Sequence, residues 1–587
     1  MLDINDFKEN LVEYECARIR DTRTVWMNDA ESGDLAGVLD PSAPETSFAR
    51  FFSYVSQANA CFGANELDKN DRRVYLAERY GARGVGSNGG GGRVGNYGKF
   101  QVKGTGPNPL ASATSIWHSY GSLNMVDAAN ETIYSTVLGS ILPMGCAKIY
   151  GVIHTSDAGA LQVLNWGRKD AKTSSMSGAL LVREPTVRPA HFMHAEYFMP
   201  DKSGLMPESR RIRAVHRQLK TKFENTNNFI QFIGKFVLSS AKQFAFARAA
   251  RIAHGGVTPS NICLDGRWID LTEARFLTGG KNYSGQMPFY DEPQVISEVV
   301  MQLTYIFGKS NVAQFNVEPL LRYCQKVFDN CFSYYSLSIL GLPEANLEAI
   351  AEGEDGKTVA KAYAAVVMKE KRPILEVPDQ VDPDDPVIAF MKLSYLCLSD
   401  NEVHLAKLSA LLRCPASDAR QVVTAFRNVF RHAVKPLDQN AGVEAFRGRS
   451  LASAIKALRW AYLSAYFYRG RITPHLYYLV ENKDLSDVGA YIQENIDQSK
   501  WIFDTACTGN VVILQAKGLR IAFDEPKRIY VVTDANERTF QRYEDCVAFI
   551  SANYPALRVS DTFDPSFYLQ GISDVLTGLD NMTCMPA

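Results

Sequence analysis

The sequence predicts an α+β chain: mixed strands and helices in the first half, then a large helical part, then a C-terminal element that contains strands. Three patterns carry this expectation. Strand-length apolar or alternating segments, at 99–103, 147–154 and 178–183, stand among glycine-rich turns in the first 205 residues. Helix-like patterns dominate from 206 to about 480. β-rich runs return at 511–515, 519–523 and 528–533. These shifts place an N-terminal extension at 1–75, a strand-rich lobe at 76–205 and a helical lobe at 206–375. A further helical region follows at 376–480, and an α/β element at 481–587.

Along the chain, 48–60 reads as a helix. The segment 81–98 is glycine-rich, with Arg83 and Arg93 interspersed. Glycine permits positive φ and lets backbone amides approach an anion, so Gly89, Gly90, Gly91, Gly92 and Arg93 are candidates for holding a phosphate. A flexible linker is the plainer reading, but such linkers rarely carry arginines and lead into a strand. That strand, 99–103, puts Phe100 and Val102 on one face and Lys103 on the other. The turn Gly104-Thr-Gly-Pro-Asn-Pro109 follows. A helix is expected over 123–138 with Glu131 inside it, and helices over 206–222 and 225–253. Beyond Asp270 comes a polar loop, 278–286. Helices over 291–470 are divided by the Pro/Asp-rich stretch 377–386, and a helix over 537–552 follows the last strands.

Composition narrows the function classes. The 587 residues carry a net charge of -1, with 46% hydrophobic and 22% charged residues, an ordinary globular balance without the basic excess of a nucleic-acid-binding surface. No apolar run is long enough to span a bilayer, and Met1-Leu-Asp-Ile-Asn-Asp lacks the pattern of a signal peptide. The eleven cysteines form no CxxC pair, which points to a reduced, cytoplasmic protein without a zinc site of that type. Cys584 reads as a plain tail thiol.

One stretch carries the densest chemical signal: His254-Gly-Gly-Val-Thr-Pro-Ser-Asn261-Ile-Cys-Leu-Asp-Gly-Arg-Trp-Ile-Asp270. It reads as a loop with an Asn, a hairpin, and an Asp closing an apolar strand. Kinase-fold proteins hold their metal ions with such an Asn and a later Asp. An amide oxygen and a carboxylate suit Mg2+ or Mn2+ bridging nucleotide phosphates. The plainer reading is a β-hairpin in which both residues only shape turns. His254 reads as support for the loop, and Asp265 and Glu273 as turn and surface groups.

In order and spacing, these segments resemble the selenoprotein O (YdiU) family. The likeness rests on the glycine-rich segment, Phe-Gln-Val-Lys103-Gly-Thr-Gly-Pro, the helical Glu131, Arg183 after a strand, and His254-Gly with Asn261 and Asp270 nine residues apart. It covers roughly residues 75–280. The resemblance implies a two-lobed, protein-kinase-like fold that binds ATP in a flipped orientation with Mg2+ or Mn2+ and moves AMP onto protein hydroxyl groups. It assigns Lys103 and Arg183 to the phosphates, Glu131 to pairing with Lys103, and Asn261 and Asp270 to the metal.

The departures are specific. Ser260 stands where the family has an acid beside the metal-binding Asn, and Gly256 stands five residues before Asn261, where a kinase has its base. The family's second arginine has no clean equivalent; Arg188 and His191 are the alternatives for its role. No cysteine lies between Cys263 and Cys324, so the family's redox pairing with the C-terminal tail lacks a partner. Three functions stay open. One is adenylyl transfer to a protein or peptide by metal and positioning alone. A second is acyl-adenylate formation on a peptide carboxylate, which needs no base; a partner protein would complete such microcin-like peptide maturation. The third is an ATP-binding pseudokinase scaffold.

Overall fold

The structure is a computed structural model. It describes every residue except 1, 64, 113–119, 165–171, 201–203, 224, 278–287, 369–384, 400–401, 435–441, 483, 507, 561–562 and 583–587. The loop at 278–286, most of the stretch 377–386, and Cys584 lie outside the described residues.

One eight-stranded antiparallel sheet organises the first half. Its strands in chain order are β1 (Leu11–Ile19), β2 (Arg23–Met27), β3 (Tyr54–Ser56), β4 (Leu67–Glu78), β5 (Val94–Tyr97), β6 (Phe100–Lys103) and β7 (Ile149–His154). A separate hairpin, β8 (Ala160–Leu164) and β9 (Lys172–Met176), precedes β10 (Ala179–Arg183). The order across the sheet is β2-β7-β10-β6-β5-β4-β1-β3. Residues 1–75 are therefore no separate extension, because β1 to β3 share this sheet and β4 runs through the expected boundary. The helix expected over 48–60 is also shorter. It is α1 (Pro44–Phe52), and the strand-forming Tyr54 and Val55 satisfy their backbone by pairing with β1.

The pleat sorts the side chains by face. Phe100 and Val102 of β6, Leu180 and Val182 of β10, and Tyr75 and Ala77 of β4 pack with Phe48 and Phe52 of α1. Their neighbours Gln101, Lys103, Arg183 and Glu78 turn to the other face. Against that face lies α2 (Met125–Ile141), capped by the Asn124 side chain, which accepts from the Asp127 amide. It is buried on almost every side, as its apolar composition requires.

Two helices, α3 (Glu208–Lys222) and α4 (Thr226–Ala249), lead into a ribbon of Ile252–Ala253 paired with Arg275–Phe276, which brackets the loop from His254 to Asp270. Helices at Gln294–Asn311, Glu318–Ile339, Glu354–Val367, Ala416–Ala433 and Val443–Leu463 continue one apolar core shared with α2 and α4. The next two, Arg469–Glu481 and Leu485–Ile502, return to the sheet end. There Trp26 Nε1 donates to Gln493 Oε1 (3.0 Å) and Arg23 Nη2 to Ser486 Oγ (2.9 Å). The boundary expected at 480 thus runs between two helices that pack against one body.

The chain ends in a four-stranded antiparallel sheet (Asn510–Ala516, Leu519–Asp524, Ile529–Thr533, Glu537–Phe540) and the helix Tyr543–Asn553. The start of the helix expected over 537–552 is thus an edge strand, in which exposed Glu537 and Thr539 alternate with half-buried Arg538 and Phe540. Fully buried Arg459 ties this sheet to the helices by donating to the carbonyls of Ile502 (3.1 Å) and Val512 (2.5 Å). Among the described residues no helix is long and apolar enough to cross a membrane.

Candidate active site

Four charged side chains predicted from scattered segments meet between the sheet and the helical half. Lys103, at the end of β6, is 2% exposed. Its Nζ donates to Glu131 Oε2 of α2 at 2.6 Å and, closer still, to Asp270 Oδ1. Arg183, at the end of β10, donates through Nη1 to the other Glu131 oxygen at 2.5 Å. Glu131 therefore holds two cations with its two oxygens, and Lys103 joins two carboxylates from different halves of the fold. A buried charge demands such pairing, because an unpaired one costs several kcal/mol, of order 3–5.

The network ends at Asp270. Its side chain is 30% exposed, against 1% for Glu131. Burial pushes its carboxyl upward, but the charges of Lys103, Arg183 and Arg93 outweigh this and hold it well below the usual carboxylate range. Its backbone is left-handed (φ 62°, ψ 59°), a conformation in which Asp is enriched among non-glycine residues and which costs on the order of 1 kcal/mol.

A second buried network lies deeper on the same face. Arg183 Nε donates to Gln101 Oε1 (2.7 Å), and Gln101 Nε2 donates to Glu78 Oε1 (2.8 Å). Glu78 also accepts from Asn96 Nδ2 (2.7 Å), pairs with His191 (3.2 Å) and lies 3.7 Å from Arg188. Burial opposes ionisation of Glu78, but His191, Arg188 and Asn96 bring its carboxyl down to about 2. Arg188 reaches across to donate to the Ser260 carbonyl at 3.0 Å, linking this floor to the loop of the helical half. The strand register explains the line-up: Arg183, Gln101 and Asn96 are direct cross-strand neighbours.

The loop bearing Asn261 is held from several sides. His254 Nε2 lies 3.0 Å from the Asn261 carbonyl, its ring packs on Trp268 at 5.0 Å, and burial lowers its pKa, which is the supporting role expected for it. The Ile269 amide donates to the same carbonyl (3.1 Å), so the residue before Asp270 lies against Asn261. Asn261 Nδ2 donates to the Gly256 carbonyl (2.8 Å), which fixes the amide, and Oδ1 receives a long bond from the Ser260 hydroxyl (3.3 Å). Glu292 accepts from the amides of His254 (3.0 Å) and Gly255 (2.8 Å). Burial raises the Glu292 carboxyl to about 7 against the pull of these two bonds. Glu273 turns toward Arg275 (3.2 Å) and Arg469 (3.3 Å), and Asp265 pairs with Arg267 (2.9 Å).

The glycine run needs a correction. Gly89 and Gly91 do not offer free amides, because they donate to the carbonyls of Leu110 (2.9 Å) and Glu78 (3.3 Å). A Cβ on Gly89 would lie 2.6 Å from the Phe198 ring, one on Gly90 2.1 Å from the Glu78 carbonyl oxygen, and one on Gly92 3.1 Å from Ala111. The run is glycine-rich so that the chain can pack closely. Arg93 keeps an electrostatic link to Asp270.

Sequence reasoning missed Glu78, Asn96, Gln101 and Glu292. Gln101 was within reach, since strand alternation places it beside Lys103, whereas nothing local to Glu292 marks it as the anchor of a loop nearly forty residues earlier. No family model matches the chain, and no curated protein matches it.

Proposed function

We propose that the chain has a protein-kinase-like fold and acts as an ATP- and divalent-metal-dependent nucleotidyltransferase that moves AMP to a protein or peptide. The observation that carries this reading is the buried chain Arg183–Glu131–Lys103–Asp270. A strand lysine paired with a helix glutamate, facing an Asp that adjoins a loop Asn, is the arrangement with which kinase-fold enzymes hold nucleotide phosphates and metal.

The residues fit such a group. Among the described residues no cluster of three or more His, Cys, Asp or Glu could hold a metal alone. Asp270 and the Asn261 amide oxygen would instead be the protein's two ligands, hard oxygens suited to Mg2+ or Mn2+, with phosphate oxygens completing the shell. The ion would supply charge neutralisation at the phosphates. Lys103 and Arg183, oriented by Glu131, would meet the negative charge that builds up as pyrophosphate leaves.

A second reading, acyl-adenylate formation on a peptide carboxylate, is favoured by the surroundings of Asn261. Ser260 and Thr258 hydrogen-bond each other (2.7 Å), and Gly256 offers a backbone carbonyl, so neither of the two positions where the family or a kinase carries its acid supplies a carboxylate to deprotonate a hydroxyl. A carboxylate acceptor is already ionised at neutral pH.

ATP labelled separately at the α and γ positions, incubated with Mg2+ and candidate peptides, tests these readings. Label from the α position on protein or peptide, absent in Asp270→Ala, is the expected result. Peptide-dependent AMP release without stable label would select the acyl-adenylate. Transfer from the γ position would make the chain an ordinary kinase, and ATP binding without turnover would make it a pseudokinase.

A further inference from the structure

Away from this site, an open surface groove with about 550 Å³ of space lies between the segment that follows Asp270 and the helix Arg469–Glu481. Arg469, Thr473, Tyr477 and Glu481 line it at four-residue intervals, so it runs as a groove along one face of that helix. Arg275 closes the inner end, and Tyr478, 62% exposed, stands at the rim.

The two arginines already show what they recognise. Arg469 donates to the Thr272 carbonyl and pairs with Glu273 at 3.3 Å. Arg275 pairs with the other Glu273 oxygen at 3.2 Å and donates to the Glu273 carbonyl at 3.3 Å. Together they grip a carboxylate and the peptide backbone beside it, which is the chemistry of an acidic peptide segment. Glu273 is 51% exposed and fills this position from the side. At the far end the exposed Glu481 reverses the sign. Twelve residues of helix separate Arg469 from Glu481, about 18 Å at 1.5 Å per residue. That is the span of about five extended residues.

We propose that this groove docks a peptide segment of about five residues, acidic at the end held by Arg275 and Arg469 and basic at the end facing Glu481. Glu273 is the built-in competitor that an incoming carboxylate displaces. The docking stands independently of whether the chain transfers AMP.

The test is fluorescence anisotropy on the full chain without nucleotide, using a labelled five-residue peptide with Glu at one end and Lys at the other. Replacing the peptide Glu by Gln is expected to weaken binding about tenfold. In the protein, Glu273→Gln is expected to tighten binding of the original peptide by a similar factor, because the competitor is gone. Glu481→Lys is expected to reverse the preference at the far end, making a peptide acidic at both ends the better ligand. Both protein variants gain an affinity, so misfolding does not mimic the expected result. Binding indifferent to peptide charge, weaker or unchanged binding by Glu273→Gln, or no binding at millimolar peptide would each overturn the proposal.

Discussion

Replacing Glu131 by Gln would leave Lys103 and Arg183 buried with Asp270 as the remaining acid of their group. Intact, the four charges sum to zero, with contacts of 2.6 Å from Glu131 to Lys103 and 2.5 Å to Arg183. Breaking a buried pair from one side costs about 3–5 kcal/mol, because the partner keeps its desolvation penalty. Lys103→Met should cost a similar amount by leaving an excess negative charge. The double variant restores neutrality, with Arg183 facing Asp270, and should cost no more than either single change. A chain of this size need not unfold in one step, so the readout is local: hydrogen exchange of amides in α2 and β6. A loss of 3 kcal/mol speeds exchange about 10²-fold in each single variant, and the double variant should not exceed that. Additive effects in the double variant, or unchanged exchange in the single variants, would refute the idea that these charges act as one unit.

Three further outcomes are expected. Glu292 has its folded pKa raised by burial from the ordinary 4.5 to about 7, so its contribution to stability is full below pH 4.5 and is lost as pH rises to about 7. The melting temperature of the wild type relative to Glu292→Gln should therefore fall between pH 5 and 8, and a flat difference would show that burial does not raise this group. Gly256→Asp meets no neighbour nearer than Asn261 Nδ2 at 3.9 Å. Placing a carboxylate there should raise α-label transfer to hydroxyl acceptors by up to about 10²-fold, and no gain in a variant that still binds ATP would count against the missing base. Gly90→Ala should destabilise by at least about 3 kcal/mol, since its Cβ meets the Glu78 carbonyl oxygen at 2.1 Å. Gly98→Ala, with a positive φ but open space, should cost only about 1–2 kcal/mol. Equal melting temperatures for these two variants would remove the packing role of the glycine run.

The charged residues of the site were legible because each breaks a local rule. A lysine closing a buried strand, a glutamate inside an apolar helix and an arginine ending an apolar strand all need distant partners; the resemblance supplied the pairing of Lys103 with Glu131, but not that of Arg183 with Glu131 or of Lys103 with Asp270. The deeper floor was not legible. Glu78 ends a strand, β4, whose exposed polar residues give no sign that its end turns inward, and Arg188 finds its place through Glu78 and through Ser260, 72 residues away. The same limit explains the misplaced boundaries. β1 belongs to the main sheet through β4 more than fifty residues on, and Trp26 finds Gln493 across 467 positions. The packing role of the glycines was hidden for a different reason. One residue type serves both anion cradles and tight packing, and the groups that decide between them, Phe198 and the Glu78 carbonyl, are not adjacent in sequence.

The two contacts of Lys103 are unequal, and the inequality bears on how the site would open. Glu131 is almost fully buried and already divided between Lys103 and Arg183, so separating it strands two cations in a medium of low polarity. Asp270 sits on a loop of the other half and is 30% exposed, so its bond to Lys103 is the one that water can reach. Separation of the halves would therefore part Lys103 from Asp270 and leave Lys103 with Glu131. On the proposed reading, Lys103 would exchange Asp270 for a phosphate oxygen, and Asp270 would exchange the ammonium for a divalent ion. Glu131 keeps both of its positive partners throughout, so the cost of opening falls on one partly solvated ion pair, while the buried pairs that hold β6 to α2 stay intact.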